Sequence, residues 1–164
     1  MVLGMSLPAF TAVHVLLSLV GIVAGFIAMR GLVRGILPRG WTWLFLLMAL
    51  ATSITGFMFP VTAIKPSHVF GVVTLVLLAL HALVVKRLAG RWRTVYVVSA
   101  MLTLYLNVVV LVVQMFEKVA PLAELVPAHG PWPLLAVQGA VLALFVAATL
   151  LGIRRFQPSP MHLA

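Results

Sequence analysis

The chain has 164 residues, of which 64% are hydrophobic and 8% charged, with a formal net charge of +9 and a mean hydropathy of +1.24. A water-soluble fold this apolar would have no polar surface to present, so composition places the chain among polytopic membrane proteins. The positive charge forms no aromatic-interleaved basic patch or groove-reading motif, which speaks against a nucleic-acid partner. The absence of cysteine rules out disulfides, thiolate metal sites and haem attached through C-x-x-C-H.

Runs long enough for a hydrocarbon core of about 30 Å, roughly 20 helical residues, predict an all-α bundle of five transmembrane helices. The first covers residues 8–29 and is followed by Arg30, Arg34 and Arg39. The second, 42–61, leads through a short link at 62–66 into the third, 67–85, for which Pro66 and Ser67 are a start signal. Lys86, Arg87, Arg91 and Arg93 come next, then the fourth span, 95–116. The segment from Glu117 to Trp132 holds both acidic residues, Glu117 and Glu124, with Pro121, Pro127, Pro131 and His129, and has room for a short interfacial helix. The fifth span, 133–152, ends before Arg154 and Arg155.

Basic clusters thus follow the first, third and fifth spans. Lys and Arg are biased to the cytoplasmic side, so the amino terminus is expected outside and the carboxyl terminus inside. Residues 1–7 carry no basic side chain, so the first span reads as an anchor rather than a cleaved signal peptide. Trp41, Trp43, Trp92 and Trp132 fall at the expected water boundaries. No solenoid-period repeat interrupts the chain, which reads as a single bundle over residues 1–164.

At about 100° per residue, the polar and small residues of each helix can be tested for sharing one face. His14, Ser18, Gly21 and Gly25 align on the first helix, the two glycines forming G-x-x-x-G. Ala49, Ser53, Gly56 and Pro60 align on the second, Tyr96, Ser99, Thr103, Asn107 and Gln114 on the fourth, and Gln138, Leu142, Phe145, Thr149 and Gly152 on the fifth. Lipid penalises such stripes, so they are expected to turn inward. The third helix offers two faces, His68, Gly71, Leu75, Ala79 and Ala82 on one and Thr74 with His81 on another.

Small residues and hydroxyls on such stripes serve close helix packing. Primary amides ask for more, because each has four hydrogen-bonding sites to satisfy and an open one in hydrocarbon costs several kcal/mol. At about 1.5 Å per residue, His14 and Gln138 lie about 8 Å below the outer edge, Gln114 and His68 near that edge, and Asn107 near the midplane. His14, His68, Asn107, Gln114 and Gln138 therefore form the candidate site, an outward-facing polar cluster. The competing account is an amide and imidazole network that fixes the bundle.

Neutral imidazole can ligate haem iron or another metal, or hydrogen-bond a quinone. His14 and His68 could hold one b-type haem, with Gly21 and Gly71 leaving room for the macrocycle, or could approach a quinone. Two haems would need four axial ligands, and only three histidines lie within spans. A metal bound by His14, His68 and His129 with Glu117 or Glu124 is a further option, without a fixed motif spacing. His81 reads as an imidazole bonded to Thr74 or to a neighbouring helix, or lying towards the inner interface. His162 reads as solvated, and the scattered methionines as packing. No intramembrane carboxylate, G-x-S-x-G, H-E-x-x-H or Walker-type loop appears, so an enzyme acting alone is not expected.

Two blocks, Pro66-Ser67-His68-Val69-Phe70-Gly71 and Tyr105-Leu106-Asn107-Val108 running to Val112-Val113-Gln114, followed by a Gln138 helix ending in Arg154-Arg155-Phe156, resemble a group of small bacterial inner-membrane proteins. The resemblance runs from about Trp41 onward. It implies a multi-pass protein of the bacterial inner membrane and brings no activity with it. The functional expectation is a membrane-embedded binding or accessory subunit. Electron transfer through haem b or quinone at His14 and His68 is one alternative, and a structural subunit packing through its Gly21 and Gly25 face is another.

Overall fold

A computed structural model shows the chain to be helical, with residues 1–60, 66–86, 88–126 and 130–157 described, apart from the side chains of 66 and 67. The helices are α1 (Leu7–Val33), α2 (Arg39–Phe57), α3 (Pro66–Val84), α4 (Arg91–Lys118), the short α5 (Ala120–Ala123) and α6 (Trp132–Arg155). No strand occurs among the described residues, only an isolated bridge between Val2 and Met5. Four helices, α1, α2, α4 and α6, are long and apolar enough to cross a membrane, while the apolar stretch of α3, His68–Val84, is shorter.

Local chemistry sets the boundaries. Ser6 caps α1 by accepting from the Ala9 amide at 3.4 Å. The helix runs beyond the expected Met29 because Arg30, in its last turn, complements the carboxyl-end dipole. It stops where Gly35 takes φ +78°. α2 starts at Arg39, earlier than expected, after Pro38, whose carbonyl accepts from the Thr42 hydroxyl at 3.1 Å. It ends at Phe57 rather than 61 because Pro60 takes Phe59 out of the helical region. α3 begins at Pro66, and α5 supplies the short helix expected after Glu117. Of the short link expected at 62–66, residues 62–65 lie outside the described residues and Pro66 already belongs to α3.

Each long helix packs on the next in the order α1, α2, α3, α4, α6, and α6 closes back on α1. α4 also touches α1 across this ring, and it carries the longest list of buried residues. Large apolar side chains such as Leu16, Val23, Leu144 and Leu150 are exposed, a surface suited to lipid contact.

The helices alternate in direction. At one end, the start of α1 meets the end of α2, with Phe10 and His14 against Phe59. His68, at the start of α3, lies against Phe57 there. At the other, basic end, Leu32, Val84, Leu88, Tyr96, Val97, Ala100, Met101 and Phe156 form one buried cluster drawn from α1, α3, the link after α3, α4 and the residue after α6. A second cluster at mid-height joins Ile22, Ala24, Phe45, Ala49, Leu104, Val108 and Phe145.

Most of the small and polar stripes face inward. Gly21, Gly25, Ala49, Ser53, Tyr96, Ser99, Thr103, Phe145 and Gly152 are buried, although Leu142 is exposed. On α3 the second face prevails. Thr74 and His81 are buried while Ala79 and Ala82 are exposed, because α3 packs on α2 and α4 together. The expectation that Gly21 and Gly25 form a docking face for another protein is corrected. A Cβ on Gly21 would stand 3.0 Å from Met48 Cβ, and one on Gly25 would stand 2.5 Å from Leu104 Cδ1, so both glycines admit helices of this same chain.

Candidate functional site

The polar residues singled out by depth fall at separate helix contacts. His14 Nδ1 lies 2.8 Å from Thr55 Oγ1. With its one proton on the Ala51 carbonyl, 2.8 Å away, Thr55 Oγ1 accepts from His14 Nδ1–H. Ser18 ties the same seam, donating to the His14 carbonyl at 2.8 Å and lying 3.4 Å from Thr52 Oγ1. His68 sits across α2 from this network, its ring 5.9 Å from that of Phe57.

The amides bond to backbone. Asn107 donates to the Thr103 carbonyl of its own helix at 2.9 Å, and Gln138 donates from α6 to the Val109 carbonyl of α4 at 3.1 Å. Gln114 is half-buried on α4. The described hydrogen bonds of His14 and Gln138 thus join α1 to α2 and α4 to α6, and that of Asn107 stays within α4, so the three do not converge on one point. Replacing Thr55 by Val removes the acceptor of His14 and is expected to lower bundle stability by about 1 kcal/mol. Unfolding in mixed micelles measures it, with Thr11→Val, whose hydroxyl bonds the Leu7 carbonyl of its own helix, as the control.

The room expected for a macrocycle is filled by protein. A Cβ on Gly71 would meet Phe57 Cζ at 2.9 Å, and Met48 closes the space beside Gly21. No group of three His, Asp or Glu side chains suited to a metal occurs among the described residues. His129 and His162 lie outside them.

A different constellation lies at the basic end. His81 is 1% exposed, and its Nδ1 is 3.1 Å from Ser99 Oγ of α4. With the Ser99 proton on the Tyr96 carbonyl, 3.1 Å away, Ser99 Oγ accepts from His81 Nδ1–H. The lone pair of the imidazole is then on Nε2, a buried atom with no hydrogen-bond partner among the described residues. The His81 ring lies on Tyr96, centroids 4.2 Å apart, and Tyr96 lies on Phe156 at 5.8 Å. The Tyr96 hydroxyl reaches the Thr42 side chain, whose own proton goes to Pro38.

His81, Tyr96 and Thr42 form part of the wall of a cavity of about 370 Å³. Arg39 and Lys86 bring positive charge to it, and Trp43, Leu46 and Val85 give it an apolar side. The arrangement can take a ligand that is partly apolar, negatively charged at one point and able to donate a hydrogen bond. The sequence reading of His81, as an imidazole bonded to Thr74 or to a neighbouring helix or lying towards the inner interface, did not bring Arg39, Thr42 and Tyr96 beside it. The usable signal was that Tyr96 and Ser99, on the polar stripe of the fourth span, stand at the depth of His81.

No protein-family model matches the chain, and no curated protein or solved structure matches it either.

Proposed function

We propose that the chain is a five-span protein of the bacterial inner membrane, amino terminus outside and carboxyl terminus inside. In this reading it serves as a binding or accessory subunit whose ligand occupies the His81 cavity at the cytoplasmic end. The observation that carries the binding role is the cavity lined by His81, Arg39 and Lys86, beside a buried His81 Nε2 that has no hydrogen-bond partner among the described residues. An unsatisfied buried acceptor costs about 1–3 kcal/mol, and a ligand that donates to it recovers that loss.

The fifth crossing is supported by the way α3 joins the two ends. Its start lies with the end of α2 at Phe57, and its end shares the cavity with Arg39 and Thr42 at the start of α2. The orientation is supported by the basic clusters, which a five-span path gathers on one side. The His14 and Gln138 bonds read here as bundle-fixing contacts. Haem or quinone chemistry at His14 and His68 has less support, because Phe57 and Met48 occupy the space a cofactor ring would use.

The absence of native cysteine makes the test clean. In intact cells, a membrane-impermeant maleimide is expected to label Leu122→Cys and to leave Ala89→Cys and Gln157→Cys unlabelled until the membrane is opened. Labelling of all three from outside would refute the orientation. For the binding role, native mass spectrometry of the purified protein is expected to show a retained adduct that Leu46→Trp and Val85→Trp, each filling the cavity, both remove. Equal adduct patterns in wild type and both variants would refute it.

A further inference from the structure

We infer that the ligand of the basic-end cavity is an anionic phospholipid with a hydroxylated headgroup, its phosphate between Arg39 and Lys86 and its headgroup hydroxyl on the His81 side of the cavity. This rests on the reading of the cavity as a binding site, and it adds the chemistry of the ligand. Three features select that chemistry.

The first is uncompensated charge. Arg39 and Lys86 both line the cavity, and the only acidic side chains of the chain are Glu117 and Glu124. Glu117 is near the far end of α4 from Tyr96, a distance of about 30 Å at 1.5 Å per residue, and Glu124 follows α5 beyond it. No side-chain carboxylate of the protein can therefore neutralise the pair. A phosphate can, through charge-assisted hydrogen bonds, and basic pockets between helices on the cytoplasmic side suit anionic lipid headgroups.

The second is hydrogen-bond polarity. With Ser99 donating to the Tyr96 carbonyl and accepting from His81 Nδ1, Nε2 is an acceptor. A ligand reaching the His81 wall must bring a donor there while bringing an anion to Arg39 and Lys86. A hydroxyl a few bonds from a phosphodiester does both. An ammonium headgroup also donates, but it would place a cation beside two cations.

The third is the apolar side of the cavity. Trp43 lines it and is 59% exposed, and Leu46 continues the surface inward. Trp is at home at the membrane interface, so an acyl chain can leave the cavity along this side into the bilayer. A soluble anion would make no use of it.

The test is native mass spectrometry of the full chain in detergent, offering phosphatidylglycerol, phosphatidylmethanol, phosphatidylcholine or inorganic phosphate in turn. Wild-type protein is expected to retain phosphatidylglycerol about tenfold more tightly than phosphatidylcholine, to prefer it over phosphatidylmethanol, which has the charge without the hydroxyl, and not to retain phosphate alone. Arg39→Gln with Lys86→Gln abolishes the preference over phosphatidylcholine, and Lys86→Gln alone, at an exposed side chain, reduces it. His81→Phe keeps a ring on Tyr96 and abolishes the preference over phosphatidylmethanol. Arg154→Gln with Arg155→Gln leaves both preferences unchanged.

Equal retention of phosphatidylglycerol and phosphatidylcholine overturns the inference. So does an equal loss on changing Arg154 and Arg155, which would mean diffuse surface attraction, and so does binding of inorganic phosphate alone. An uncharged species held in wild type but expelled by Leu46→Trp would overturn the lipid assignment and leave the binding role standing. No species sensitive to Leu46→Trp would remove both.

Discussion

Phe156→Ala is expected to lower the stability of the bundle by about 3–5 kcal/mol, the range for deleting a fully buried aromatic ring. Phe156 follows the last turn of α6 and is 0% exposed. Its ring lies 5.8 Å from Tyr96 at an interplanar angle of 22°, and it shares a cluster with Leu32 of α1, Val84 of α3 and Met101 of α4. Removing it leaves a cavity ringed by side chains from three helices that cannot all close on one point, which puts the cost at the upper part of that range. Phe156→Leu, nearer in volume, should cost under about 1.5 kcal/mol. Unfolding in mixed micelles checks both, with Leu150→Ala as the control on the exposed side of α6. A loss at Phe156→Ala no larger than at Leu150→Ala would show that the ring does not bind the ends together.

Gly25→Leu should cost about 3 kcal/mol or prevent folding, the upper end of overpacking penalties. A Cβ on Gly25 would stand 2.5 Å from Leu104 Cδ1 and 2.9 Å from Phe45 Cδ2, and both neighbours are at most 2% exposed. The Leu104 methyl is the flexible end of a side chain and can move, but the Phe45 ring is held by α1 and α4 together. Gly25→Ala is therefore expected to cost less, partly offset by the better helix propensity of alanine. Gly139→Ala is the matched control: nothing stands within 4 Å of its Cβ position, so it should be neutral or stabilising by about 0.5–1 kcal/mol. Circular dichroism and monodispersity in detergent, followed by unfolding titrations, separate the three.

The helices were legible because lipid imposes length and apolarity on each crossing segment. Their inward faces were legible too, since Gly25, Ser53, Thr103 and Gly152 mark surfaces that hydrocarbon penalises. α3 was the exception. Its smoother stripe, ending at Ala79 and Ala82, carries residues that lipid tolerates, whereas Thr74 and His81 have hydrogen bonds to make and so command the interior. The candidate site was hidden for a related reason. Depth alone cannot say which neighbour satisfies a polar group, and the partners of His14, Asn107 and Gln138 are a threonine hydroxyl and two backbone carbonyls, which any helix can supply. The His81 cavity needs the beginnings of α2 and α4 and the end of α3 in one place, a juxtaposition that no single helix encodes.

The contact between Gly35 and the carbonyl of Arg155 has a consequence for biogenesis. A Cβ at Gly35 would stand 2.8 Å from that oxygen, so the turn after the first helix is moulded to the exit of the last. Because translation delivers α1 long before Phe156, the buried cluster at the basic end stays unsealed until the residue after α6 has been made. A chain halted before that ring keeps an unfilled apolar socket among α1, α3 and α4.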